Sequence, residues 1–153
     1  MELELHKAMF LQYDGDRDTR GAFDGHSAAT LASSTRYVGD WHAGRMHGSG
    51  TLHFPDGVSW GGDMKQDSIT GAGVYRWRTA VYEGEVQNGM RHGRGVLHFT
   101  NHPACYDGDW RAGKRHGWGV LYYDATKHAY YEGMAALCSS PCAWNIRTCS
   151  LSV

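Results

Sequence analysis

From Tyr106 to Trp110 the chain reads Tyr-Asp-Gly-Asp-Trp. Tyr106, Gly108 and Trp110 alternate with Asp107 and Asp109, the period-two pattern of a strand with one apolar and one polar face. After "RAGKRH" the alternation resumes, with Gly117, Gly119, Leu121 and Tyr123 on one side. Two such runs joined by a short segment predict a β-hairpin, with Gly113 where the turn needs a positive φ. The pattern also stands at "YVGDWHAGRMHGSGTLHF" (37–54), "WGGDMKQDSITGAGVYRW" (60–77) and "YEGEVQNGMRHGRGVLHF" (82–99). The leading aromatics Tyr37, Trp60, Tyr82, Tyr106 and Tyr131 recur every 22 to 25 residues, the spacing of a repeat array.

The predicted fold is all-β: a single-layer, elongated antiparallel sheet of tandem hairpins in which each repeat touches only its neighbours. Glycines on the apolar face let a ring from a neighbouring strand lie over bare backbone, which explains why glycine recurs with Tyr and Trp. His47, His92 and His116 hold one position in the frame, and Thr70 holds it in the second copy. All four hydrogen-bond, so the expected role is a bond to the turn backbone. A shared metal site would not survive the change to threonine.

The expected organisation is a degenerate repeat or cap with a loop over 1–36, then the array over 37–133. Its copies are 37–59, 60–81, 82–105 and 106–130, with a fifth opening at 131. The tail over 134–153 follows none of the frame. It reads either as a shortened product of a longer gene or as a short segment covering the sheet edge, since exposed edges invite pairing. The second copy departs from the frame at Met64, Asp67 and Thr70, so its hairpin is the least secure.

Composition narrows the function. With 21 glycines at fixed offsets and 3 prolines, the glycine marks turns and close approaches, not a flexible linker. A formal net charge of −1 argues against a free-standing nucleic-acid binder. No apolar run is long enough to cross a membrane as a helix, and "MELELHKAMF" lacks the pattern of a signal peptide. The four cysteines therefore read as reduced thiols, and Cys138, Cys142 and Cys149 are not spaced as paired zinc knuckles. No phosphate-binding loop, dinucleotide fingerprint, zinc-protease or nucleophile-elbow motif is present. The expectation is a chain that is not an enzyme and uses no cofactor or metal.

The frame Y-x-G-x-W-x-x-G-x-x-H-G-x-G, almost complete at 37–57 and 106–123, resembles the MORN repeat (membrane occupation and recognition nexus). The third copy departs from it at Val86. Over "YEGEVQNGMRHGRGVLHF" and "YDGDWRAGKRHGWGVLYYDATKHAYYEG" the chain is also similar to the radial spoke head protein 10 homologue family of motile cilia, whose members carry more repeats. That resemblance implies a scaffold in the cytoplasm and cytoskeleton, at the radial spoke of the ciliary or flagellar axoneme. The implied partners are axonemal proteins, and self-association through sheet edges is a further expectation.

Two candidate surfaces follow. Aromatic side chains bury much area at low entropic cost, so the ring face (Tyr37, Trp41, Phe54, Tyr82, Phe99, Tyr106, Trp110 and Tyr123) is the candidate protein-binding groove. Arg45, His47, Arg91, His92, Lys114, Arg115 and His116, each placed in a turn, form a candidate basic rim. The rim carries the alternative reading, an anionic phospholipid surface, which the nearby acids Asp40, Asp63, Glu83, Glu85, Asp107 and Asp109 disfavour.

Overall fold

The structure is a computed structural model that describes residues 10–128, 130–135 and 144–145. Most of the tail, with Cys138, Cys142 and Cys149, lies outside the described residues. Among the described residues, twelve strands run β1 (Phe10–Asp14), β2 (Gly25–Leu31), β3 (Arg36–His42), β4 (Arg45–His53), β5 (Ser59–Lys65), β6 (Ser68–Arg76), β7 (Ala80–Gln87), β8 (Met90–Phe99), β9 (Cys105–Arg111), β10 (Lys114–Tyr122), β11 (Tyr130–Ala135) and β12 (Trp144–Asn145). They divide into two compact units, residues 1–75 and 76–153. Within each unit the strands lie in chain order, as antiparallel hairpins. The described residues hold no helix, as the period-two pattern predicts.

The hairpin turns are shorter than the sequence suggests. Only Ala43-Gly44, Gln66-Asp67, Asn88-Gly89 and Ala112-Gly113 separate the paired strands. Both residues of every pair have positive φ, from 49° at Gln66 and Ala112 to 81° at Gly44. These are the primed two-residue turns that match strand twist. Asp67 (φ 67°) takes glycine's place in the second copy, so that hairpin closes in spite of its departures. The Asp67 amide donates to the Met46 carbonyl (3.0 Å), and Asp67 Oδ1 accepts the Met46 amide (2.8 Å). Gly44 likewise donates to Phe23 (2.8 Å) and Gly113 to Arg91 (2.9 Å), so each of these turns is tied to the hairpin before it.

Glycines face one another across the strands. In the first unit Gly39 pairs with Gly50, and Gly50 with Gly62. In the second, Gly84, Gly95, Gly108, Gly119 and Gly133 form an unbroken row across five strands. Rings cover these rows. A Cβ added at Gly50, Gly95 or Gly119 would run into the ring of Tyr37, Tyr82 or Tyr106 respectively, and one at Gly73 into Trp60. Among the described residues, Tyr37, Trp60, Tyr82 and Tyr106 are the most deeply buried large side chains. Each tyrosine hydroxyl donates to the carbonyl three residues on: Tyr37 to Asp40 (2.9 Å), Tyr82 to Glu85 (2.7 Å), Tyr106 to Asp109 (3.2 Å). Trp60 keeps the packing but not the bond, and its Nε1 is buried without a partner.

The acids of the frame close a β-bulge. Gly117 adopts φ 59°, and register slips between Arg115 and Gly119. The slip turns the Trp118 amide out of the ladder, where it donates to Asp109 Oδ2 at 2.9 Å. The arrangement recurs as Ser49 to Asp40 (3.0 Å), Ala72 to Asp63 (3.1 Å) and Arg94 to Glu85 (3.1 Å). Each acid thus satisfies an amide that the bulge strands, in the usual manner of such irregularities.

The N-terminal segment contains a full hairpin. Tyr13 donates to the Asp16 carbonyl (2.7 Å), and a Cβ on Gly15 would strike Ser27, which occupies the place of the partner glycine. Phe23 stacks on Tyr13 with centroids 3.7 Å apart.

Two outcomes test this packing. A Cβ on Gly108 would sit 2.5 Å from the Gly119 Cα and 2.7 Å from the Trp118 carbonyl, whereas one on Gly61 meets nothing nearer than 3.7 Å. Gly108→Ala is expected to cost about 1–3 kcal/mol, and Gly61→Ala to be neutral or stabilising by up to about 1 kcal/mol. Equal melting temperatures for the two variants would overturn the close-approach account. Asp109→Ala leaves the Trp118 amide without its acceptor and is expected to cost about 1–2 kcal/mol, with Asp109→Asn recovering much of it. Denaturant melts of the three proteins decide the matter, and an Asn variant as unstable as the Ala variant would count against the cap.

Candidate functional site

The structure divides the candidate aromatic groove in two. Tyr37, Trp41, Tyr82, Tyr106 and Trp110 are buried, between 0% and 4% exposed, so they are packing and not surface. The physical reason for the tyrosines is the glycine row, which lets their rings drop onto the backbone, and the tryptophans pack edge-on against those rings. Phe54 is half-buried, and only Phe99 (43%) and Tyr123 (50%) present substantial ring area.

The buried rings form an edge-to-face relay. Trp110 meets Tyr106 of its own hairpin at 5.2 Å and Tyr82 of the preceding one at 5.4 Å, with interplanar angles of 86° and 82°. Its Nε1 donates to the Gly95 carbonyl at 2.9 Å. Trp41 repeats this between Tyr37 (5.2 Å) and Tyr13 (5.5 Å), donating to Ser27 at 3.3 Å. Such edge contacts are the favoured aromatic geometry, and each tryptophan joins two hairpins. Burial raises the phenols of Tyr82 and Tyr106 to about 12, so both hydroxyls stay protonated donors across the physiological range.

The basic rim does not form as expected. A two-residue turn leaves these residues in the second strand of each hairpin, where alternation divides them between faces. Arg45 pairs with His42 and Lys114 with Arg111 on the polar face. Arg45 reaches Asp67 at 3.9 Å. Arg91 and Arg115 lie opposite Val86 and Trp110 on the ring face. Arg91 lays its guanidinium over Trp110 at 4.3 Å and donates to the Gly113 carbonyl at 2.7 Å. Burial lowers its pKa from the ordinary arginine value, and Arg115 nearby adds to the lowering. Arg115 covers Tyr106 at 5.5 Å.

The histidines behave differently from one another. His116 Nδ1 is buried without a hydrogen-bond partner, so the expected bond to the turn is not made there. His47 sits 5.9 Å from the His42 ring, and it is the main chain of His92 that takes part, accepting from Tyr82 at 3.3 Å. The polar face of the first unit also carries pairs that the frame did not suggest. His26 Nδ1 lies 2.7 Å from Asp40 Oδ1, and His42 lies 3.5 Å from Asp24. The His26 contact, followed by the Ser49 amide, lowers the Asp40 carboxyl below its usual range. Among the described residues, no three His, Cys, Asp or Glu side chains gather as a metal ion requires.

Comparison with known proteins returns a group of long relatives. The ALS2 C-terminal-like protein of Bos taurus is 33% identical over 106 residues, which cover 50% of this chain and 11% of that protein. Its Homo sapiens counterpart is 32% identical over 90 residues, covering 40% and 9%. Alsin of Rattus norvegicus is 29% identical over 97 residues, covering 44% and 6%. The chain thus spans about a tenth or less of the relatives it matches. These relatives are alsin-like, and none bears the name of a radial spoke protein. The family model that matches is the MORN repeat, at residues 37–59, 82–102 and 106–124, and over those stretches the chain is similar to that family.

Proposed function

We propose that this chain is a non-catalytic scaffold that binds protein partners through its hairpin sheet, in the radial spoke of the ciliary or flagellar axoneme. MORN repeats point to a repeat module that binds proteins or membranes. The observation that carries the protein-binding reading is the engagement of the recurrent side chains. The tyrosines cover glycine, the tryptophans join hairpins, and the acids cap bulges. A motif engaged in its own packing leaves recognition to the sheet faces, which suit an extended partner better than a small substrate.

The membrane reading loses its main support with the rim. The cations divide between two faces, and a carboxylate, Asp67, stands beside Arg45 on the polar face. The axonemal setting rests on the resemblance of residues 82–133 to the radial spoke head family. A tagged copy expressed in ciliated cells tests both parts. Recovery in salt-washed axonemes, with crosslinks to axonemal proteins, is the expected result. Exclusive recovery at the plasma membrane would overturn the scaffold reading, and protein crosslinks formed only away from axonemes would overturn the setting alone.

A further inference from the structure

Register sorts the charges of the second unit by face. Arg91 and Arg115, paired with Val86 and Trp110, lie on the ring face of β8 and β10. Glu83, Asp107 and Glu132 pair with Val96 and Val120, and Asp109 with Arg94, all on the opposite face. Among the described residues of β7–β11, no carboxylate shares the ring face with the two arginines. Farther along the same strands the ring face is apolar. Leu97 and Leu121 flank Tyr106 and are half-buried, and Phe99 is exposed. Tyr123, also exposed, follows the end of β10.

We propose that this ring face docks a segment of another protein that is apolar along its length and carries Asp or Glu at one end. The carboxylates meet Arg91 and Arg115, and the apolar side chains cover Leu97, Leu121 and Phe99. The inference rests on the protein-binding reading and gives it a face and a partner chemistry. Arg91 is preorganised for this role. Stacking on Trp110 and the bond to Gly113 hold the guanidinium plane, so little side-chain entropy remains to be lost on pairing. Arginine pairs with carboxylate through parallel charge-assisted bonds, and an apolar surround strengthens them. From Arg91 to Phe99 a strand extends roughly 25 Å, the length of a helix of about 17 residues. An anionic bilayer is the weaker occupant. Each cation near such a surface contributes about 1 kcal/mol, two are few, and the acids on the other face oppose approach.

The test is to pan a phage-displayed library of random peptides, about 18 residues long, on the full chain. The expected winners combine Leu, Ile or Phe with Asp or Glu. A synthetic winner should lose about tenfold in affinity with Arg115→Gln, with the Arg91→Gln/Arg115→Gln pair, and when its own acids become amides. Because Arg91 also packs on Trp110, Phe99→Ser at an exposed site gives a second reading, and melting curves confirm that each variant folds. Trp118→Ala, on the opposite face beside Met134, should leave binding unchanged. Winners without carboxylates, no winners, or affinities unmoved by the ring-face variants overturn the proposal. So does self-association, or binding to phosphatidylserine vesicles, that the arginine variants abolish. Peptide binding lost only in Trp118→Ala would reject this face and leave the protein-binding reading standing. Vesicle binding with no peptide winners would reject both.

Discussion

The structure depends on close approach between bare backbones. Where Gly84, Gly95, Gly108 and Gly119 face one another, no side chain holds the strands' ring face open, and Tyr82 and Tyr106 settle onto the gap. Glycine is costly in a strand, because it loses more conformational freedom than other residues and brings no packing of its own. The ring laid across it offsets that cost with its own burial, and its hydroxyl finds a carbonyl that flat packing leaves within reach. Glycine and tyrosine therefore act as one unit, and neither explains the motif alone.

The second consequence is coupling between neighbours. Trp110 leans on Tyr82 of the preceding hairpin and bonds to the Gly95 carbonyl, and the Gly113 amide reaches back to Arg91. Stability in such an array is a sum of hairpin terms and nearest-neighbour terms. Imperfect copies are then supported by their flanks. The hairpin at 60–77 has Trp60 with an unpartnered Nε1 and lacks a turn glycine. It closes nonetheless, because Asp67 adopts the left-handed turn and binds the Met46 amide of the hairpin before it.

Sequence made some of this legible and hid the rest for physical reasons. Period-two alternation identified the strands and their faces, and recurring glycine beside recurring rings identified the packing. The acid's role was hidden because a bulge changes register without changing the alternation around it, so Asp109 read as a plain solvent-facing residue. The first hairpin reads only as a degenerate repeat or cap with a loop, because Ser27 stands where the frame has glycine and a serine gives no pattern signal. The rim was misplaced because a two-residue turn resembles a longer one when charged residues follow it. For the aromatic groove, alternation gives the face a residue is on but not its depth, and Tyr106 and Phe99 share a face at 1% and 43% exposure.

That difference in depth bears on where recognition can reside. The positions that define the frame point into the packing, so they are alike from copy to copy for reasons unrelated to any partner. The position two residues beyond each turn is different. It holds Met46, Ile69, Arg91 and Arg115 in successive hairpins, with similar backbone placement and unlike chemistry. Met46 is buried, while Arg91 and Arg115 keep part of their surface and their charge. A substitution there leaves the glycine row itself untouched. The same substitution exchanges an apolar contact for a cation on the ring face, which changes what that face can bind. Repeats of this kind separate the residues that make the sheet from those that distinguish one stretch of it from another, and the frame that identifies the family is silent about the second set.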